Sequence, residues 1–372
     1  MGSSTTPRLE TRGQSQSILM LRADKPIIST DPSLSIKAVN HPSVSVIVPN
    51  NNSGSLLKRC LQSLQQQVTD ERFEVIVVDD GSTDESAQSA SRFPGVTLVR
   101  QEHMGASAAR NHGLQAARGR LILFLDSDCS AQSNWIATIA EPLIRQRAVV
   151  TVGRFISSQE KTIARLVQFE LEERFMRMER HGEVDFLNSA TCGFSREIIE
   201  RFPFDPTFTK LEDVELSFRL ARTGITIRYV STAIVDHHHP DRLWNYLARK
   251  YRYGKWAPAL YRRFPANSLR DDSTPGHRRV QLGLVLLALL TLPFVPWHGV
   301  LVLLIAAALS LPAASRVWRS HRTLAMLYPL FTLAGNIAFL SGWAVGTTSQ
   351  MLHPQRVKTK LSVPANKETR GG

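Results

Sequence analysis

Two aspartates two positions apart, Asp126 and Asp128, close the apolar run Leu121-Ile122-Leu123-Phe124-Leu125. Carboxylates held so close repel each other unless a cation or a base stands between or beside them. Mg2+ or Mn2+ suits that arrangement, since each takes one or two protein carboxylates and fills its other positions with water or diphosphate oxygens. Taken alone, such a pair is also what a solvated turn ahead of a helix looks like. A second acidic stretch makes the plain turn harder to hold: Asp79-Asp80-Gly81-Ser82-Thr83-Asp84 closes another apolar run, residues 73–78. A carboxylate at a strand tip can accept from a base N–H or a ribose hydroxyl. Ser82 and Asp84 are read more simply as helix caps, Ser82 and Glu85 having the spacing of a capping box. A rim this acidic needs bases, hydroxyls or metal as partners.

Positioning these groups falls to an alternation of strands and helices. Val44-Ser45-Val46-Ile47-Val48 is a β-branched run ending at Pro49, followed by a polar turn over residues 50–54 and by Leu56, Leu57, Leu61 and Leu64 at helical spacing. Residues 73–78, 96–100 and 121–125 read as further strands, with helices over 82–93 and 106–117 between them. The pattern predicts an α/β class with a Rossmann-like, mainly parallel sheet covered on both faces. Ligands of such sheets sit beyond the carboxyl ends of the strands, where Asn50, Asp79, Asp80, Asp126 and Asp128 fall. Downstream, a helix is expected over 161–180, a turn at His181-Gly182, an extended stretch over 186–194 and a short helix near 196–201. Leu211-Glu212-Asp213-Val214-Glu215 starts an acidic helix, and short strands over 225–230 and 233–235 precede His237-His238-His239-Pro240. Glu170, Glu172 and Glu173 with Arg174, Arg177 and Arg180 read as a solvated helix face. Arg110 is open between steadying a phosphate and pairing with an aspartate.

The chain has 372 residues, 45 Lys+Arg against 32 Asp+Glu, and 3 cysteines without a CxxC pair. A disulfide scaffold and a zinc ribbon are therefore not expected. The charge is unevenly spread: residues 240–372 hold 18 Lys+Arg and 4 Asp+Glu, while residues 1–239 hold 27 and 28. Basic residues that flank apolar runs point to an anionic membrane surface rather than to nucleic acid. Residues 1–40 read as a flexible leader without an apolar signal segment. Residues 241–279, with Trp244, Tyr246, Tyr251, Tyr253 and Trp256 among arginines and lysines, read as an interfacial segment. Apolar runs follow over 280–296, 299–314 and 324–347. Arg278 and Arg279 before the first pair, and Arg316, Arg319 and Arg322 after it, put both its ends on the cytoplasmic side. Arg356, Lys358 and Lys360 ask the same of the tail, which leaves two or three spans open.

With these motifs in order, the sequence resembles a family-two glycosyltransferase. The resemblance rests on Ser45-Val46-Ile47-Val48-Pro49-Asn50-Asn51, on Val77-Val78-Asp79-Asp80-Gly81-Ser82-Thr83-Asp84, on Gly105-Ala106-Ser107-Ala108-Ala109-Arg110-Asn111-His112-Gly113, on Phe124-Leu125-Asp126-Ser127-Asp128, and on Leu211-Glu212-Asp213-Val214-Glu215-Leu216 with Arg219 and Gly224. It covers roughly residues 44–240. It implies a GT-A fold, a nucleotide-sugar donor (UDP-, GDP- or dTDP-linked) and a divalent metal, Mn2+ or Mg2+. By the same resemblance Pro49, Asn51 and Asp79 border the base and ribose, and Asp126 contacts the ribose or the metal. Asp128 is the principal metal ligand, Asp213 the catalytic base with Glu212 as its rival, and His237 completes the metal site with His239 as second candidate. Asn50-Asn51-Asn52 departs from the aromatic that often precedes the Asn, and the Gln-x-x-Arg-Trp signature of processive synthases is absent.

The reading that follows is a leader (1–40), a GT-A catalytic domain (41–240), a basic aromatic interfacial segment (241–279), membrane-embedded helices (280–350) and a basic tail (351–372). The expected activity is inverting, metal-dependent transfer of a sugar to a hydroxyl of a glycan or lipid-linked acceptor, at the cytoplasmic face of the inner membrane. A nucleotidyl or phosphosugar transferase, and an inactive nucleotide-sugar-binding scaffold, are the alternatives.

Overall fold

The computed structural model describes residues 41–267, 276–319 and 321–352. The expected leader, and the tail from residue 353 with Arg356, Lys358 and Lys360, lie outside the described residues. Strands β1 (Val44–Asn50), β2 (Phe73–Asp80), β3 (Val96–Gln101) and β4 (Leu121–Leu125) pair in parallel in the order β3-β2-β1-β4. Helices α1 (Ser55–Gln65), α2 (Ser86–Ser91) and α3 (Ala106–Ala116) make the crossovers. Every residue of β1 and β4 is buried, as an apolar run covered on both faces requires. Asn50 pairs in register with Asp79, so the tips of β1 and β2 come side by side. Helix α3 lies hard on the sheet at Gly113, where a Cβ would stand 2.4 Å from Ile47 Cγ2.

The second half adds β5 (Cys129–Ala131), α4 (Trp135–Ile144), β6 (Val150–Ile156), α5 (Thr162–His181), β7 (Glu183–Val184), β8 (Thr191–Ser195), α6 (Arg196–Arg201), α7 (Glu212–Arg222) and β9 (Ile227–His237). The sheet is nine-stranded, continuing from β4 through β8, β6 and β9 to β5, with β7 paired to β9. Strand β8 runs antiparallel to both β4 and β6.

Several local expectations are corrected. Helix α2 starts at Ser86, not Ser82, because Ser82 is otherwise engaged. Its hydroxyl accepts from Asn50 Nδ2 at 3.1 Å and from the Asn52 amide at 2.9 Å. Asn52 Oδ1 in turn takes the Thr83 amide at 2.8 Å, so the loops after β1 and β2 are tied together instead of winding into helix. The two short strands before His237 are one strand, β9, which itself bulges: it runs from Tyr229 to Ile234 while its partner β6 runs only from Val152 to Arg154. The stretch 186–194 is extended only from Thr191. The acidic face of α5 is not solvated. Glu170 meets Lys250 Nζ and Arg278 Nη1, each at 2.6 Å, and Glu173 meets Arg278 Nη2 at 3.3 Å.

Those partners belong to the C-terminal helices α8 (Leu243–Arg263), α9 (Gly276–Thr291), α10 (Pro296–Ala308), α11 (Leu311–Trp318) and α12 (Arg322–Leu352). Helices α8 and α12 cross at backbone contact. A Cβ on Gly254 would lie 1.9 Å from the Phe339 carbonyl oxygen, and one on Gly342 2.0 Å from that of Tyr251. Tyr246 stacks on Phe331 at 4.1 Å, and Leu166 and Val167 of α5 share a buried cluster with Tyr328, Phe331, Ala313 and Ala314. Among the described residues α12 alone is long and apolar enough to cross a membrane. Helix α10 and residues 311–317 qualify together, bent by 43°. That makes one or two spans by length and composition, where the sequence reads as two or three. The run 280–296 falls short because α9 ends at Thr291, ahead of Pro293 and Pro296.

Candidate active site

At the tips of β1 and β2 the two adjacent aspartates have separate roles. Asp80 points into the following loop, where Oδ1 accepts from Gln101 Nε2 at 2.7 Å and the Met104 amide at 2.8 Å. Its Oδ2 takes the Gly105 amide at 2.9 Å, with His103 Nδ1 at the same distance. It therefore organises the approach to α3. Asp79 is buried and holds Asn50 Nδ2 at 3.1 Å through Oδ1. Asn51 donates to the Asp80 carbonyl at 2.7 Å, and Pro49 is buried one residue short of the tip. Pro49, Asn51 and Asp79 thus lie on neighbouring strand ends.

Past β4 the chain turns tightly, with the Cys129 amide donating to the Asp126 carbonyl at 3.0 Å. The Asp126 carboxylate accepts from Arg110 Nη2 at 2.7 Å, and Arg110 Nη1 reaches Glu212 Oε1 at 3.1 Å. Arg110 is 2% exposed and lies 5.1 Å over the Phe204 ring, itself edge-on to Phe124. A guanidinium buried this deeply requires two carboxylates in a fork, and these are the two it has. The choice left open for Arg110 is thereby resolved among protein groups: it pairs with an aspartate and a glutamate. Sequence reasoning missed the second, since Glu212 is 102 positions away.

Helix α7 begins with Leu211 at φ 64°, a left-handed backbone that costs a non-glycine residue about 1 kcal/mol or more and marks a constrained corner. It sets Glu212 toward Arg110 and leaves Asp213 with a bond from the Val214 amide at 2.9 Å. Burial, and then the neighbouring Glu212 charge, push the Asp213 carboxyl up to about 7. Its surface is still partly open to solvent. The two candidate bases are separated by this geometry: among the described residues Glu212 is held in an ion pair, and Asp213 is not.

The third feature lies where β9 ends beside β5. Cys129 pairs with His237, and the His238 amide donates to the Asp128 carbonyl at 3.0 Å. His237 Nε2 stands 3.7 Å from Asp128 Oδ1, and ligand atoms of Asp128, Cys129 and His237 all fall within 4.8 Å of one another. Two donors about 2.1 Å from a shared ion can span such a gap. A carboxylate oxygen with an imidazole nitrogen suits Mn2+ or Mg2+, leaving other positions to water or phosphate. The Cys129 thiol is buried and pushed well above its usual range, so it stays protonated and is a poor ligand for a hard cation. Asp126 is not in this group of three. His239 is buried, its imidazole driven down to about 2 by burial first and by the neighbouring His237 second.

Comparison with known proteins gives a consistent picture. Residues 45–202 match the family model described as Glycosyl transferase family 2. Two proteins of Mycobacterium tuberculosis strains, both named pre-mycofactocin glycosyltransferase, are 32% identical over 237 residues, covering 61% of this chain and 49% of theirs. Glycosyltransferase GlyA of Streptococcus pneumoniae is 35% identical over 121 residues, covering 32% of this chain and 17% of its own. The chain therefore spans about half the length, or less, of these curated relatives. Among solved structures, the mannosyltransferase PcManGT from Pyrobaculum calidifontis, in complex with GDP-Man and Mn2+, is similar with a TM-score of 0.53. That likeness covers 88% of this chain and 92% of that one, at 22% identity. It is a likeness of fold, the mixed α/β sheet of GT-A type.

Proposed function

We propose that this chain, which belongs to glycosyl transferase family 2 through residues 45–202, moves a sugar with inversion from a nucleotide-sugar to an acceptor hydroxyl. The observation that carries the reading is the division of labour at the start of α7. Glu212 is fixed to Arg110, while Asp213 keeps a carboxyl whose affinity for protons lies near neutrality. Such a group can take the proton from an attacking hydroxyl and release it to solvent at ordinary pH. Asp128 and His237 would hold Mn2+ or Mg2+, with Asp126 on the ribose or the metal side. The ion, when bound, supplies Lewis-acid stabilisation of the departing diphosphate. Pro49, Asn51 and Asp79 border the base and ribose of a UDP-, GDP- or dTDP-sugar. Arg110 keeps Asp126 in one orientation and neutralises part of the rim's charge.

The acceptor is a glycan or lipid-linked molecule at the cytoplasmic face of the inner membrane. Supporting this, Leu290, Phe294, Trp297, Leu304 and Leu330 on or beside the C-terminal helices are exposed, a surface that water does not favour and a bilayer does. Helix α8 connects that layer directly to the catalytic domain. The test is a donor screen. The purified chain is incubated with Mn2+ and a panel of UDP-, GDP- and dTDP-sugars, with and without membrane lipid extract, and released nucleotide is identified. Nucleoside diphosphate is expected. Pyrophosphate, or no release from any donor under either condition, refutes the proposal.

A further inference from the structure

The histidines after β9 belong to a hydrogen-bond chain whose direction can be read donor by donor. It begins at Arg154, which can only donate. Arg154 Nη2 gives its hydrogen to Glu172 Oε2 at 2.6 Å. The other glutamate oxygen accepts from Gln168 Nε2, also at 2.6 Å, and the same nitrogen faces the Phe155 carbonyl at 3.3 Å. Two acceptors around that nitrogen fix the amide, so Gln168 Oε1 must be the atom that faces His239 Nε2 at 2.8 Å. His239 Nε2 therefore carries hydrogen, and Nδ1 of the neutral ring is a lone pair. That lone pair lies 3.1 Å from His237 Nδ1, which must donate. In the neutral form, the one able to ligate a cation, His237 then has its lone pair on Nε2, aimed at Asp128 Oδ1 across 3.7 Å. A lone pair facing a carboxylate is repulsive, and a cation between them converts the repulsion into two bonds.

We propose that Gln168 and His239 are positioning residues: they lock His237 as the Nδ1–H tautomer and so hold its Nε2 ready as ligand to a divalent cation shared with Asp128. The proposal rests on the metal reading above and adds to it. His239 is thereby assigned a role other than ligand, since both its ring nitrogens are engaged and it is 1% exposed. Ligating imidazoles are oriented in this way by the partner of their second nitrogen, and loss of that partner weakens metal binding about 10- to 100-fold.

The test uses the full chain in detergent with 15N-labelled histidine. Metal-free protein is expected to show His237 protonated on Nδ1 and not on Nε2, read from its ring nitrogen shifts. In Mn2+ titrations followed by electron paramagnetic resonance, Gln168→Met is expected to bind about 10- to 100-fold more weakly, with His237 distributed over both tautomers. The exchange Gln168→Glu with Glu172→Gln preserves the direction of the two outer bonds, from Arg154 and from His239, while the bond between positions 168 and 172 reverses and the Phe155 carbonyl loses its donor. Its new amide accepts from Arg154 and donates to the new carboxylate, which accepts from His239. It is expected to restore both affinity and tautomer, which a purely structural role for Gln168 would not produce. A chain that binds Mn2+ with the His237 proton on Nε2 overturns the proposal alone, even if Gln168→Met fails to fold. So does a folded Gln168→Met that binds within twofold of wild type. A wild-type chain with the expected tautomer that binds no Mn2+ overturns the metal reading beneath it.

Discussion

Replacing Arg110 by methionine keeps much of the side-chain volume against Phe204 and removes the guanidinium that bridges Asp126 and Glu212. Deleting one partner of a buried ion pair costs about 3–5 kcal/mol, because the other charge is left without compensation. The two stranded carboxylates differ in how well they can recover. The Asp126 side chain is 29% exposed and can rehydrate, whereas that of Glu212 is 12% exposed and cannot do so without moving α7. We therefore expect the lower end, roughly 3 kcal/mol, which at about 2–4 °C per kcal/mol lowers the melting temperature by roughly 6–12 °C. The assay is thermal unfolding of the full chain in detergent, followed by near-ultraviolet circular dichroism. Adding Glu212→Gln to Arg110→Met should recover part of the loss, a coupling that independent sites would not give. A second readout is kinetic: the Arg110 charge holds the Asp213 carboxyl down, so its removal should shift the rising limb of the pH–rate profile to higher pH. Arg110→Met melting within about 1 °C of wild type, or Glu212→Gln deepening the loss, would refute the bridge as a stabilising element.

Asp213→Asn should leave nucleotide-sugar binding near wild type and slow transfer by about 10²-fold or more, read by comparing donor titration with single-turnover rate. In wild type the rate should rise with pH and level off above about 7, the carboxylate being the active form. The same raised carboxyl, lifted from an ordinary 3.8, makes the fold lose stability as pH climbs toward 7, so Asp213→Asn should gain more melting temperature at pH 8 than at pH 5. Asp128→Asn should weaken Mn2+ binding in a spectroscopic titration with the melting curve little changed; full activity in chelator counts against the metal site. Gly254→Leu should separate α8 from α12, since even a Cβ would lie 1.9 Å from the Phe339 carbonyl oxygen, and a melting curve like wild type would contradict that packing. Although burial opposes ionisation, Lys250 and Arg278 hold Glu170 well below the usual carboxylate range, so Glu170→Leu should destabilise by about 3 kcal/mol or more while leaving the Mn2+ titration unmoved.

The parallel half of the sheet was legible because its central strands β1, β2 and β4 are β-branched or leucine-rich runs, buried on both faces and stopped by a polar turn, with the part-exposed β3 at the edge. Its acidic tips were legible for the same reason: a carboxylate just past such a run has nowhere to lie but the carboxyl edge of the sheet. Strand β5 has three residues, and α4 carries Pro142 and apolar side chains in near-continuous order, so neither offers a period to read. Ser82 has the spacing of a helix cap, and only the Asn50 and Asn52 loop, brought beside it by the β1–β2 pairing, decides otherwise. Arg110 illustrates the limit within the site. Its type announces a need for anions, yet the choice between a ligand phosphate and two carboxylates depends on where α7 is placed. The triplet of histidines is similar, because position in sequence cannot separate His237 from His239 until Gln168 is seen against one of them.

Helix α5 explains how the catalytic and C-terminal parts share one structure. At 3.6 residues per turn, Gln168, Glu172 and Phe175 fall on one face, and Leu166, Glu170 and Glu173 on the opposite one. The first face meets β6 and the histidines: Glu172 holds Arg154, Gln168 holds His239, and Phe175 stacks edge-on to Phe155 at 4.8 Å. The second face meets the C-terminal helices through Lys250, Arg278 and the buried cluster around Tyr328 and Phe331. A run of mixed charges that looks solvated in sequence is therefore a two-sided rivet, its carboxylates matched to a cation of β6 on one side and to cations of α8 and α9 on the other. Charges placed in this way fix orientation more than they add stability, since a well-packed apolar pair would do as well energetically. What they confer is a register between α8, whose glycine sits against α12, and the sheet edge that carries His237 and Asp128. On the membrane reading proposed above, a rigid path of this kind keeps the active site at a constant height above the bilayer without a flexible tether.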